Sequence, residues 1–275
     1  MYIPAVGMSG LAGWKVLERT QQVQFRAYAG QESIQRDVGY FRSVISDVAE
    51  PGDLLEDRRL MSVVLTAYGL EDEIDKRAII RRVMEDGVTD PKAFANRMND
   101  PRWKAFAKDF DFSLGLAPPA ALSSIQDRIV ESFKQRGFER AVGEADPNMR
   151  LALNFKREIK LIADSANVER IGWLQVMAQK PLRAVIERAL DLPASVGTLD
   201  LDRQRAVFAD RAEKAFGGAS PIVFRDEANV DAALRRFFAS AERESGPNAS
   251  TPGHAALSLL TASLGLSNLF DPTSQ

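Results

Sequence analysis

RLALNFKREIKLIADSANVERIGWLQVMAQKPLRAVIERALDLPASVGTLDLDRQ, residues 150–204, is the stretch whose reading decides the fold. Leu151, Phe155, Ile159, Ile162 and Ala163 recur at helical spacing, and so do Leu182, Val185, Ile186 and Ala189. An α-helix turns once in about 3.6 residues, so each set falls on one face and predicts a helix with a buried stripe.

The same spacing occurs earlier in the chain. With a shift of 114 positions, Arg36, Phe41, Ile45, Val48 and Ala49 meet Arg150, Phe155, Ile159, Ile162 and Ala163. With a shift of 122, Leu60, Val63, Val64, Ala67, Leu70 and Ile74 meet Leu182, Val185, Ile186, Ala189, Leu192 and Val196, which implies an eight-residue insertion in the second copy. Two readings fit: a duplicated helical half, or unrelated amphipathic pairs that share a period.

Outside these pairs the helical period continues. Ser9–Ala29 predicts a helix with Trp14, Leu17, Gln21 and Phe25 on one face and Val16 and Val23 beside it. Glu32–Ala49 predicts a second, ended by Pro51-Gly52, and Leu54–Tyr68 a third, with Gly69 suited to a left-handed cap. Asp72–Glu85 follows. Asp90-Pro91 and Asp100-Pro101 each open a short helix, Pro91–Met98 and Pro101–Asp109, because Pro at the first helical position loses no bonded donor. Ser113–Ala120, SLGLAPPA, reads as a stiff linker. Ser124-x-x-Asp127 reads as a capping box for a helix to Gly143, with Gly137 a candidate break. Asp202–Phe216 and Asp226–Glu244 complete the body, and Ile222–Phe224 is the lone strand candidate.

The expected fold class is therefore all-α, a bundle of about eight to ten helices. The expected organisation is an N-terminal helical half over 1–112, a Pro-rich linker at 113–120, and a C-terminal helical half over 121–242. A flexible tether at 243–254 and a C-terminal helix over 255–275 follow.

Composition narrows the function classes. Hydrophobic content of 45%, 27% charged residues and a formal net charge of −2 suit a globular protein and lack the basic surplus that nucleic acid requires. The chain has no cysteine, which removes disulfides and thiolate chemistry. No apolar run of about 18 residues predicts a membrane span. The N-terminus lacks the pattern of a secretory signal, so the expected location is the cytoplasm, with flagellar type III export left open.

Catalytic constellations are not legible. His254 is the single histidine and falls in the expected tether, and Gly7, Gly10 and Gly13 before Lys15 lack the spacing and the strand of a phosphate loop. The carboxylate runs Glu71–Asp75 and Asp109–Asp111 sit at expected helix ends, where acids suit the helix dipole. Lys156-Arg157-Glu158 reads as a solvated helix face with local ion pairs. Trp103 and Trp173 are expected in the core and Trp14 at an interface. Leu257, Leu260, Leu264 and Phe270 form an apolar face that would dock on the body or be laid into a partner's groove. The expectation is no catalytic residue, cofactor or metal, and candidate partner-binding residues Trp14, Leu257, Leu260, Leu264 and Phe270.

Several phrases in order resemble one uncharacterised family, DUF1217: SGLAGWKVLERTQQVQF, DRRLMSVVLTAYGL, FERAVGEADPNMRLAL, NMRLALNFKREIKLIAD and PLRAVIERALDLPASVGTLDLDRQ. The resemblance runs from about Met8 to Phe238, and Val196 departs from it where a larger aromatic is expected. That family is all-helical, alphaproteobacterial and often encoded among flagellar genes, with no defined reaction. The resemblance implies a non-enzymatic, flagellum-associated structural or accessory protein with a protein partner, in which homo-oligomers are admissible. The alternative from the residues is a helical module that binds a small ligand between its halves.

Overall fold

Residues 4–5, 7–98 and 100–245 are described by the computed structural model, and most of the expected helices form, though the one expected from Asp72 starts at Arg77 and the one expected from Pro91 starts at Phe94. Among these residues there are thirteen α-helices and no strand. The first seven are α1 (Gly10–Ala29), α2 (Glu32–Val44), α3 (Pro51–Glu56), α4 (Arg58–Tyr68), α5 (Arg77–Asp86), α6 (Phe94–Arg97) and α7 (Pro101–Asp109). The long α8 (Ser123–Ala145) leads to α9 (Pro147–Ala163), α10 (Val168–Ala178), α11 (Lys180–Ala189), α12 (Leu201–Phe216) and α13 (Glu227–Ser245).

Side-chain caps set the boundaries. Asp57, Asp100, Asp146 and Asp200 accept from free backbone N–H groups at the starts of α4, α7, α9 and α12. Asp57 therefore divides the single helix expected over Leu54–Tyr68 into α3 and α4. Pro51 opens α3, in a capping box of Glu50 and Asp53, and does not close the helix before it, since α2 ends at Val44 ahead of the 3₁₀ turn Ile45–Asp47 and short of the expected Ala49. Gly69 takes φ +71° at the end of α4, as expected of a left-handed cap.

Other expectations need correction. The Ser124–Asp127 capping box is absent; Leu122 precedes α8 without a side-chain cap. Gly137 does not break α8, and its lack of a Cβ makes room for Tyr28, since a Cβ there would lie 2.2 Å from the Tyr28 hydroxyl oxygen. Ile222–Phe224 belongs to the 3₁₀ turn Pro221–Arg225. Residues 243–245 are still helical, and the rest of the expected tether and C-terminal helix lies outside the described residues.

Burial of the apolar stripes produces two cores joined along α8. The first gathers α2–α7 on the N-terminal half of α8: Phe41, Val64, Ile80, Phe106 and Phe110 are fully buried with Ile129 and Phe133. Phe106 stacks on Phe110 at 5.0 Å between ring centres, and Tyr68 meets Phe106 edge-on at 5.6 Å. The second core gathers α1 and α9–α13 on the C-terminal half of α8, from Phe138 onward. Here Phe155, Ile159, Val185 and Ile186 are fully buried, so the quoted stretch forms the centre of this core.

Boundaries between cores follow packing and not chain order. α1 belongs with the C-terminal helices, and the start of α8 with the N-terminal ones. The proline-rich segment 113–120 is partly seated, with Ala120 fully buried in the first core. Ile34 touches both cores. α2 packs on α4 in the first core and α9 on α11 in the second. The two pairs differ at the end of the first helix: Ala163 is buried within α9, whereas Ala49 is exposed because α2 gives way to a 3₁₀ turn at Ile45–Asp47.

Candidate functional site

Between Phe133 and Phe138 the apolar stripe of α8 is interrupted by Lys134, Gln135, Arg136 and Gly137. At this interruption a cavity of about 430 Å³ opens between α1, α8 and α9. Helix α8 contributes Glu131, Ser132, Gln135 and Arg136; α9 contributes Leu153, Lys156 and Arg157, and α1 adds Gln21. The Asp146-Pro147 start of α9 turns the chain back along α8 and brings side chains 18 to 22 positions apart into contact.

An ion-pair network forms one wall. Arg157 grips Glu139 with a two-pronged contact, Nε to Oε1 at 2.8 Å and Nη2 to Oε2 at 3.0 Å. Glu139 is 3% exposed, so that grip offsets the cost of burying its carboxylate. Arg157 Nη1 also donates to Glu158 Oε1, the same oxygen that receives Arg136 Nη2 at 3.2 Å. Lys156 reaches Glu18 on α1 at 3.0 Å and Glu227 on α13 at 3.2 Å. Lys156-Arg157-Glu158 is thus a half-buried junction between helices; the solvated face expected from the sequence is corrected by the packing of α8 and α1 over α9.

The two guanidinium groups experience opposite environments. Burial pushes the Arg157 pKa down, and Glu139 and Glu158 more than reverse it. Burial and then the neighbouring Arg157 hold Arg136 below its ordinary value, and Glu158, Glu139 and Glu71 do not restore it. Chemically this wall can bind and orient an anion. Ser132 is the hydroxyl in the lining, and the lining includes no histidine or cysteine to activate it.

A second polar cluster lies inside the first core. Asp109, 3% exposed, accepts from the Tyr68 hydroxyl at 2.5 Å and from Arg128 Nη2 at 2.8 Å. Burial, then Asp109, raises the Tyr68 pKa. Asp109 therefore serves the packing of Tyr68 and not the helix end expected for it. Glu71 pairs with Arg150 at 2.9 Å across the two cores.

An apolar surface feature lies between α7 and α8. Leu114, Leu116 and Leu122 are 74%, 66% and 60% exposed within one connecting segment. Residues 113–117, with the turn at Gly115, are exposed, whereas Pro118 and Ala120 are buried before Leu122 emerges again.

Of the residues singled out in the sequence, Trp14 is 1% exposed and stacks on Phe238 at 5.8 Å. It is a core residue; α13 covers the face of α1 that was expected to be bare. Trp103 and Trp173 are buried as expected. Leu257, Leu260, Leu264, Phe270 and His254 lie outside the described residues. Lys15 pairs with Glu18 at 2.7 Å. Among the described residues no cluster of potential metal ligands occurs, and no helix is long and apolar enough to cross a membrane.

Comparison with known proteins agrees with this architecture. The X-ray crystal structure of protein AGR_C_984 from Agrobacterium tumefaciens is similar, with a TM-score of 0.70 and 25% sequence identity. The likeness covers 90% of this chain and 98% of that one. No curated protein matches the chain. A family model described as protein of unknown function matches residues 67–218, from the end of α4 through α12, including the leucine segment and the α8 and α9 walls of the cavity. On that match, the chain belongs to the DUF1217 family.

Proposed function

We propose that the protein is a non-enzymatic accessory or structural component that acts by contact with a protein partner of the bacterial flagellum. The flagellar setting comes from the family resemblance in the sequence. One structural observation carries the contact: the exposed trio Leu114, Leu116 and Leu122 on a segment fastened at both ends. Leu114 and Leu116 lie two residues apart with Leu122 close behind in sequence, and exposed apolar groups that join into a patch mark contact sites. Covering one leucine contributes about 1.5–3 kcal/mol, so three offer a sufficient anchor for a transient complex.

The test is a double substitution, Leu114→Asp with Leu116→Asp. Both side chains point into solvent, so the variant should keep its fold by circular dichroism. In cells it should lose the cross-links to flagellar components that the unaltered protein forms. Unchanged cross-linking by a folded variant would refute the assignment of this segment.

A further inference from the structure

We infer that the cavity between α1, α8 and α9 is a binding site for a small organic acid or phosphate compound, with Arg136 as its principal anion ligand. This goes beyond partner contact through the leucine segment, which lies in a different part of the fold.

The three cations of the lining, Arg136, Lys156 and Arg157, are satisfied unequally. Arg157 is matched by the two-pronged contact with Glu139, and Lys156 by Glu18 and Glu227. Arg136 differs. Among the described residues its one hydrogen bond goes from Nη2 to Glu158 Oε1, an oxygen already shared with Arg157. The Nη1 end rests against Gly69, where a Cβ would come within 2.6 Å, so the glycine leaves the room that this guanidinium occupies. The Arg136 side chain is 22% exposed, enough for a ligand to reach and little enough for water to screen it poorly.

Two guanidinium groups sharing one carboxylate oxygen leave Arg136 under-compensated, and burial adds to the cost. An anion entering the cavity would supply the missing partner through charge-assisted bonds to the Arg136 guanidinium. Ser132, Gln135 and Gln21 border the same space and can fix the ligand's orientation by neutral hydrogen bonds, while Leu153 gives an apolar contact. Glu131 at the opening repels a ligand that carries charge at both ends. The ion-pair network as a whole is close to electrically neutral, so recognition depends on direct contact with Arg136 and not on a broad positive field. About 430 Å³ exceeds the needs of inorganic phosphate and suits a small organic acid or phosphate ester.

The experiment is titration of the full chain with inorganic phosphate and with lactate, a monocarboxylate, read by calorimetry and by thermal midpoint, against chloride at matched ionic strength. The expected result is saturable binding of at least one of the two, with the responding anion separating phosphate from carboxylate chemistry. Arg136→Gln should weaken that binding at least tenfold, and Arg211→Gln, exposed on α12, should leave it unchanged. Should Arg136→Gln fail to fold, Ser132→Leu fills the cavity without touching the ion pairs and should abolish binding equally. No saturable response beyond chloride, or equal binding by the folded cavity variants, would overturn the inference.

Discussion

Truncating Phe155 to Ala tests the packing of the quoted stretch most sharply. Phe155 is fully buried on α9 and meets Phe224 edge-on with ring centres 5.7 Å apart. Removing a buried phenyl group forfeits its transfer free energy and leaves a cavity, together about 3–5 kcal/mol. For a chain of this size each kcal/mol moves the melting midpoint by about 2–4 °C, so the expected fall is roughly 6–20 °C. Leu161 on the same helix is the control: it is 65% exposed, and its truncation should cost no more than about 0.5 kcal/mol. The assay is thermal and urea denaturation of both variants, followed by far-ultraviolet circular dichroism. Two cores joined along α8 make the shape of the transition informative too. A single transition that shifts as a whole means the cores unfold together, whereas a separated early phase means that the second core was loosened alone. A Phe155→Ala cost below about 1 kcal/mol, or equal costs for the two variants, would refute the assignment of faces on α9.

Further outcomes follow from the polar contacts. Gly137→Ala places a Cβ 2.2 Å from the Tyr28 hydroxyl oxygen and should destabilise by about 1–3 kcal/mol in urea denaturation, although alanine favours helices. Asp109→Ala leaves the buried Tyr68 hydroxyl without its acceptor and should cost about 1–3 kcal/mol in the same assay. Tyr68, whose pKa is raised by burial and by Asp109, should stay protonated past the ordinary tyrosine value of about 10 in an ultraviolet titration. Its contribution is fully present below that value and is lost as the pH rises toward the folded-state pKa. For Glu18, burial pushes the pKa up, but Lys15 and Lys156 hold it below the usual carboxylate range. The stability this adds is present above the unfolded value of about 4.3 and is lost as the pH falls through the folded value, so Glu18→Gln should flatten the acid limb of the stability curve.

The helices were legible wherever one stripe of a helix is buried. Phe155, Ile159, Val185 and Ile186 announce themselves by period, because their environment is set by the helix they belong to. Boundaries were legible where a cap is local, as at Asp100 and Gly69, and were missed at Asp57, where one residue both ends α3 and caps α4. The assignment of helices to cores was not legible. α1 joins helices more than 100 positions away, as in the stacking of Trp14 on Phe238, and no periodicity encodes that choice. The cavity was hidden for the same reason: Arg136, Glu139, Arg157 and Glu158 read as ordinary charges on two helices until the turn at Asp146 brings those helices together. One signal was available. The stripe of α8 breaks between Phe133 and Phe138, and a charged interruption on a long helix marks where a buried network can form.

The measurement that bears most directly on the proposed role is motility in the native host. A strain lacking the gene is complemented either with the unaltered gene or with the Leu114→Asp, Leu116→Asp variant. The account predicts impaired flagellar assembly in the deletion strain, restored by the unaltered protein and not by the folded variant. Normal swimming with normally assembled flagella in the deletion strain would contradict it.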